Sequence, residues 1–284
     1  MKLTAEQIER FERDGFLVFP GLIAADEIAL LQEELKRVSG ADDPRVVRER
    51  SGGVRMVYGL HEETGPTASP AYQALVRSPR LLQPMQDLLG PVFVYHTKAN
   101  TKAALEGAIY EWHQDYANWQ IMDGTPECRI HTSMLLLDEA TEIGGCLYVI
   151  PGSHKLGVVP PDVAPDQVQA AIDRVVFQGE PMSVPNSRMA EIVAGCGEPV
   201  ALTGKPGTVV IFHGNLIHGS GHNMSVHSRW ILYTVYSATD NRPQSVARPR
   251  ADYKASRSAG PARLLPDGPL RDSMRALGQA SPGR

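Results

Sequence analysis

The chain changes its hydrophobic rhythm once. Up to about residue 90 the apolar positions follow a helical period interrupted by loops, and from Val92 they come in short runs. Thr4 to Arg13 opens with Thr-Ala-Glu-Gln, a capping-box pattern, and closes at Asp14-Gly15, which predicts a short helix. Phe16-Leu17-Val18-Phe19 predicts a short buried strand ended by Pro20-Gly21. Ile28, Leu31, Leu35 and Val38 then share one stripe with Glu and Lys between them, so a second helix runs from about Ala25 to Val38. Ala41 to Ser69 lacks a clear period and reads as loop with weak strands. Pro70 to Leu89 reads as helix interrupted near Pro79 and Pro84.

Val92 to Thr97 is β-branched and aromatic, hence a strand. Further strands are expected at Gly107 to Trp112, Arg129 to Leu137, Cys146 to Ile150, Pro199 to Leu202, Thr208 to Phe212 and Trp230 to Ser237. Asp123-Gly124, Gly144-Gly145, Pro151-Gly152 and Pro206-Gly207 supply turns between them. Many short, closely spaced strands predict a barrel-like double sheet, with the first ninety residues as helices packed outside it. Residues 160–197 form a long, Pro-rich insertion between strands, the size of a lid or a surface loop. Residues 241–284 are rich in Arg, Pro and Ser and read as a peripheral, partly disordered tail with one short helix, Leu270 to Leu277.

Composition narrows the function classes. The formal net charge is -4 over 284 residues with both signs dispersed, which argues against a nucleic-acid or anionic-membrane partner. Cys128, Cys146 and Cys196 have no metal-type spacing and read as free thiols of a reducing compartment. Neither a secretory signal nor a membrane-length apolar run is visible, so a cytoplasmic protein is expected.

The chemistry concentrates at Trp112-His113-Gln114-Asp115. On extended backbone, residues i and i+2 point to one face, so His113 and Asp115 converge. Their most plausible third partner is His218, with His213 as rival. Two His and one carboxylate on one face of a metal, the other face open, is the arrangement of non-heme Fe(II) oxygenases. Such a site can chelate an α-keto acid and take O2, and it needs an anchor for the far carboxylate of that acid. Arg229, just before a strand, has the planar fork for the task, and Ser220 could donate to the same group. Taken singly, each of these residues has a duller reading: a His-x-Asp pair by chance, an Arg in a surface ion pair, aromatics in core packing.

These positions together resemble the phytanoyl-CoA dioxygenase family of Fe(II)/2-oxoglutarate oxygenases. His113-Gln-Asp115, His218-Gly-Ser220 and Arg229 match its pattern, as do Phe11-Glu-Arg-Asp-Gly-Phe-Leu-Val and Gly145-Cys-Leu-Tyr-Val-Ile-Pro-Gly-Ser-His154. The resemblance implies an α+β fold with a mainly β core, a double-stranded β-helix (jelly roll, cupin-like) with the N-terminal helices outside. It implies one oxygenase domain over 1–240, helical in 1–90 and jelly roll in 91–240. Iron(II) would be held by His113, Asp115 and His218, with 2-oxoglutarate and O2 as co-substrates. Within the family, Trp112-His113-x-Asp115-x-x-x-Trp119 and His218-Gly-Ser-Gly-x-Asn223 resemble the ectoine hydroxylase branch. By that likeness Asn100 and Ser133 would face 2-oxoglutarate and Trp119 would lie against the substrate. Tyr116, His96 and Lys98 complete the expected substrate contacts, Trp119 through a cation–π face. The expectation is hydroxylation of a small polar or zwitterionic metabolite by a monomer or homodimer. The carboxylate of Asp115 speaks against halogenation. A larger natural-product intermediate, an acyl-CoA, or a metal-binding jelly roll without turnover are the alternatives.

Overall fold

The computed structural model describes residues 1–49, 51–160, 167–173 and 182–279. Helix α1 (Ala5–Asp14) starts at the capping box: the Gln7 amide donates to the Thr4 hydroxyl (3.2 Å) and the Thr4 amide to the Gln7 side chain (2.9 Å). Gly15, at φ 83°, turns the chain into β1 (Phe16–Phe19). Helix α2 (Ala25–Ser39) buries the Ile28, Leu31, Leu35, Val38 stripe. The weak strands after it are β2 (Val46–Arg48) and β3 (Val54–Tyr58). The expected helix from Pro70 is two, α3 (Pro70–Val76) and α4 (Leu82–Leu89). Only the break near Pro79 is real. Pro84 sits in the first turn of α4, where a missing N–H leaves no intrahelical bond unmade.

The β-rich half contains β4 (Val92–Lys102), β5 (Tyr110–His113), β6 (Ile130–Leu136), β7 (Leu147–Val149), β8 (Val200–Leu202), β9 (Val209–His213), β10 (His218–Ser220) and β11 (Arg229–Ala238). They form a seven-stranded sheet ordered β1-β9-β6-β11-β4-β3-β2 and a four-stranded sheet ordered β5-β10-β7-β8. Every pairing is antiparallel. Alternation along the strands separates two cores. Leu17, Leu135, Ile211 and Leu232 face the helices and meet Ile28, Leu31, Leu35 and Met85. Met134, Leu136, Val210, Phe212 and Ile231 face the small sheet and meet Leu147, Val149 and Leu202. This is the expected jelly roll with helices outside.

Two features differ from expectation. Helix α5 (Asp115–Asp123) lies where only a strand end and a turn were expected. The tail is not peripheral. The Ser256 amide donates to the Tyr95 carbonyl (3.0 Å), that of Ala262 to Val92 (2.8 Å) and that of Leu265 to Arg77 (3.0 Å). Ala255 and Leu270 are buried. The last helix, Leu270–Gln279, packs on α3, and its first amide donates to the buried Glu27 (2.8 Å), which also pairs with Arg80. Among its described residues the insertion holds the helices Val168–Asp173 and Asn186–Cys196; 161–166 and 174–181 lie outside the described residues. Among the described residues no helix is long and apolar enough to cross a membrane.

Candidate metal centre and active site

The small sheet brings the two histidines together. β5 and β10 pair antiparallel with His218 opposite His113. Past His113 the backbone stays extended through Gln114 (φ -118°, ψ 122°), and Asp115 is the first residue of α5. The same-face geometry expected of residues 113 and 115 therefore holds, although Asp115 belongs to a helix. Gln114 points the other way and is buried. Its Nε2 donates to the carbonyls of Gly157 (2.7 Å) and Asn215 (2.8 Å), and its Oε1 accepts from the Val159 amide (2.8 Å). The residue between the ligands thus pins the bend that aims them.

One ligand atom each from His113, Asp115 and His218 fall within 4.8 Å of one another. His113 Nε2 is 3.7 Å from one Asp115 oxygen and His218 Nε2 is 3.7 Å from the other. Both imidazoles are fixed from behind: Nδ1 of His113 donates to the Glu111 carbonyl (2.7 Å) and Nδ1 of His218 to the Leu216 carbonyl (2.9 Å). A carbonyl only accepts, so Nδ1 carries the proton and the Nε2 lone pair faces Asp115. Burial and the neighbouring His218 push the His113 pKa down to about 4, which keeps the ring neutral. Burial works against charge on Asp115, but His218, His113, Lys98 and Arg250 outweigh it and hold the carboxyl below its usual range. Two imidazole nitrogen donors and one carboxylate, open on one side, fit a divalent non-heme iron. His213 is elsewhere, its Nδ1 accepting from the Asn215 amide (3.1 Å) and its ring stacked on His131 and His154.

The open side faces a cavity of about 660 Å³ between the sheets. Alternate residues of β4 line it: His96, Lys98, Asn100 and Lys102. From α5 come Asp115, Asn118, Trp119 and Met122, the i, i+3, i+4, i+7 face of that helix. Arg229 and Ser220 are buried and line the cavity. The Arg229 Nε donates to the Gly144 carbonyl (3.0 Å) and its Nη2 to that of Gly145. That turn is specific: Gly145 has φ 66°, and a Cβ there would lie 2.8 Å from the Gly221 and His222 carbonyls. Among the described residues no carboxylate pairs with Arg229, so a buried guanidinium faces the cavity without a counter-charge. Lys102 is its cross-strand neighbour and donates to the Gly221 carbonyl. Asn100 presents a buried side-chain oxygen that has no partner among the described residues.

Trp119 lies edge-on to His96, ring centroids 6.0 Å apart. Two expected contacts are not on the cavity. Ser133 is on the opposite face of β6, paired with Ile211 and Thr234 on the helix side, and Thr132 lines the cavity instead. Tyr116, one residue off the lining face of α5, packs with Phe93 and Tyr95, and its hydroxyl donates to the Pro126 carbonyl (2.9 Å). The lining residues that were missed include Asn118, Arg55 and Arg250. Asn118 required knowing that α5 is a helix. Arg55 comes from β3. Arg250 reaches in from the tail and pairs with the buried Asp123 (2.5 and 2.8 Å), and nothing in the local sequence signals it.

A jelly roll that presents two histidines and a carboxylate to an open cavity defines the 2-oxoglutarate-dependent, non-heme iron dioxygenases. The chain belongs to the phytanoyl-CoA dioxygenase (PhyH) family, whose profile matches residues 11–231. It is 32% identical to an ectoine dioxygenase of Sphingopyxis alaskensis, over 96% of this chain and 90% of the relative. It is 34% identical to an L-proline trans-4-hydroxylase of Streptomyces griseoviridis, over 84% of this chain and 88% of that protein. Among solved structures it is similar to EctD from S. alaskensis with 2-oxoglutarate and 5-hydroxyectoine. There the TM-score is 0.78 and the identity 30%, over 94% of this chain and 89% of the other.

Proposed function

We propose that the protein hydroxylates an unactivated C–H of a small polar or zwitterionic metabolite, using Fe(II), 2-oxoglutarate and O2. The observation that carries this is the convergence of His113, Asp115 and His218 on the cavity that also holds the unpaired Arg229. Ectoine and L-proline, the compounds in the relatives' names, are both small and polar. When bound, iron and 2-oxoglutarate supply the oxidising power, with 2-oxoglutarate leaving as succinate and CO2. The residues supply the rest. His113, Asp115 and His218 would hold the metal. Arg229, Ser220 and Lys102 hold the distal carboxylate of 2-oxoglutarate, the guanidinium kept in place by the Gly144 and Gly145 carbonyls. Asn100 Oδ1 stands ready for a donor from a bound group. Trp119 and His96 form the wall against which the substrate would lie, and the carboxylate of Asp115 argues against halogenation. Cys128, Cys146 and Cys196 are unpaired thiols, which supports a cytoplasmic location.

The test is succinate release with Fe(II), 2-oxoglutarate and ascorbate over a panel that includes ectoine, L-proline and other amino acids. The expected result is succinate formed in step with a hydroxylated product and lost in His218→Ala. A protein that binds iron yet never consumes 2-oxoglutarate would sink the proposal, and a chlorinated product in the presence of chloride would overturn the role given to Asp115.

A further inference from the structure

We infer that the substrate must present a carboxylate, and that Lys98 is the residue that recognises it. This deepens the oxygenase reading and rests on it. Five cationic side chains line the cavity, Arg55, Lys98, Lys102, Arg229 and Arg250, against the two carboxylates Glu111 and Asp115. Two of these charges have a protein counterpart. Arg250 is paired with Asp123, and Arg55 lies 3.7 Å from Glu49. Asp115 belongs to the metal, and Glu111 accepts from the Ser183 hydroxyl (2.8 Å). Arg229 and Lys102, side by side in the register, serve the distal carboxylate of 2-oxoglutarate. Iron(II), Asp115 and 2-oxoglutarate together carry a single negative charge, which Arg229 and Lys102 already offset. Lys98 is left over.

Its surroundings give it no other occupation. Lys98 stands on the cavity face of β4 between His96 and Asn100, and its ammonium lies 5.2 Å from the centre of the Tyr233 ring. Among the described residues no acceptor hydrogen-bonds it and no carboxylate comes within ion-pair distance. A cation inside a protein cavity without a counter-ion is costly, and an arriving oxyanion removes that cost. Beside Lys98, His96 is buried, held neutral by burial and by Lys98 and Arg250, and among the described residues its Nδ1 has no partner. Trp119 and Met122 provide an apolar wall. The arrangement suits a carboxylate on a compact carbon frame.

The test uses the full chain loaded with Fe(II) and 2-oxoglutarate in the absence of O2. L-Proline and N-acetyl-L-proline are each titrated against the corresponding carboxamide, with ectoine as a third carboxylate. Binding is read by calorimetry and by the change in the iron–2-oxoglutarate absorption band. At least one carboxylate should bind roughly tenfold or more tighter than its amide. Lys98→Gln should erase that preference, Lys98→Arg should retain it, and the affinity for 2-oxoglutarate should stay within about twofold in both, because its anchors are elsewhere. Amides binding as well as acids, no carboxylate binding at all, or a Lys98→Gln protein that loses 2-oxoglutarate would each overturn the inference. The last outcome would hand Lys98 to the co-substrate. A wild-type protein that fails to take up 2-oxoglutarate is a separate result and removes the oxygenase reading beneath it.

Discussion

Gln114 and Lys102 show how much of this site depends on side chains that the metal never touches. Gln114 uses its whole amide on three backbone groups behind the ligands. Gln114→Leu strands those buried groups, and the expected loss is about 2–4 kcal/mol in denaturant unfolding, with weaker iron uptake measured on the folded fraction. Lys102 is pushed down to about 8, by burial first and by Arg229 second. It binds a carboxylate only when protonated. The affinity for 2-oxoglutarate should therefore be greatest below pH 8 and weaken as pH rises through that value, with Lys102→Met flattening the profile; the measurement is 2-oxoglutarate KM against pH. The three ligands were legible in the sequence because their chemistry is unusual and their order restrictive. Ser133 was not, because strand residues alternate and a one-residue slip exchanges Ser133 for Thr132. Likeness to a family locates a strand more readily than it fixes which of its faces turns inward.

At the scale of elements, α5 and the tail were the parts least visible in advance. Helix α5 is short, rich in aromatic residues and follows directly on a strand, so hydrophobic runs there look the same in either conformation. Its register matters: Asp115, Asn118, Trp119 and Met122 face the cavity while Tyr116 packs behind. The tail is polar and Pro-rich, and it is held largely by backbone hydrogen bonds, which composition cannot reveal. A chain ended at Asp240 should be far less stable, since it exposes the surfaces covered by Ala255 and Leu270 and leaves Asp123 and Glu27 without Arg250 and the Leu270 amide. A loss on the order of 3 kcal/mol or more is expected, read as a lower thermal midpoint or as insoluble product.

The whole molecule carries a second histidine group remote from the metal. His131, His154 and His213 stack beside Phe11 on the helix-facing side of the large sheet. Burial pushes His131 down to about 4 and His213 to about 2, with neighbouring imidazoles adding to the effect, and lowers His154. The unfolded chain takes up protons on these residues near pH 6.5 and the folded one does not. Their contribution to stability is therefore complete above pH 6.5 and declines as pH falls through 6.5 toward 4. Denaturation followed from pH 8 to pH 4 should show this slope, and His213→Phe should reduce it.

The pairing of Arg250 with Asp123 joins the C-terminal tail to the end of α5 and makes it a wall of the reaction chamber. All three metal ligands and Arg229 precede that wall in the chain. A protein damaged only there, as in Arg250→Leu, keeps the means to activate oxygen but meets water where a confined substrate belongs. Such a variant should become a leak: 2-oxoglutarate spent without hydroxylated product, and the enzyme oxidised by its own idle turnover.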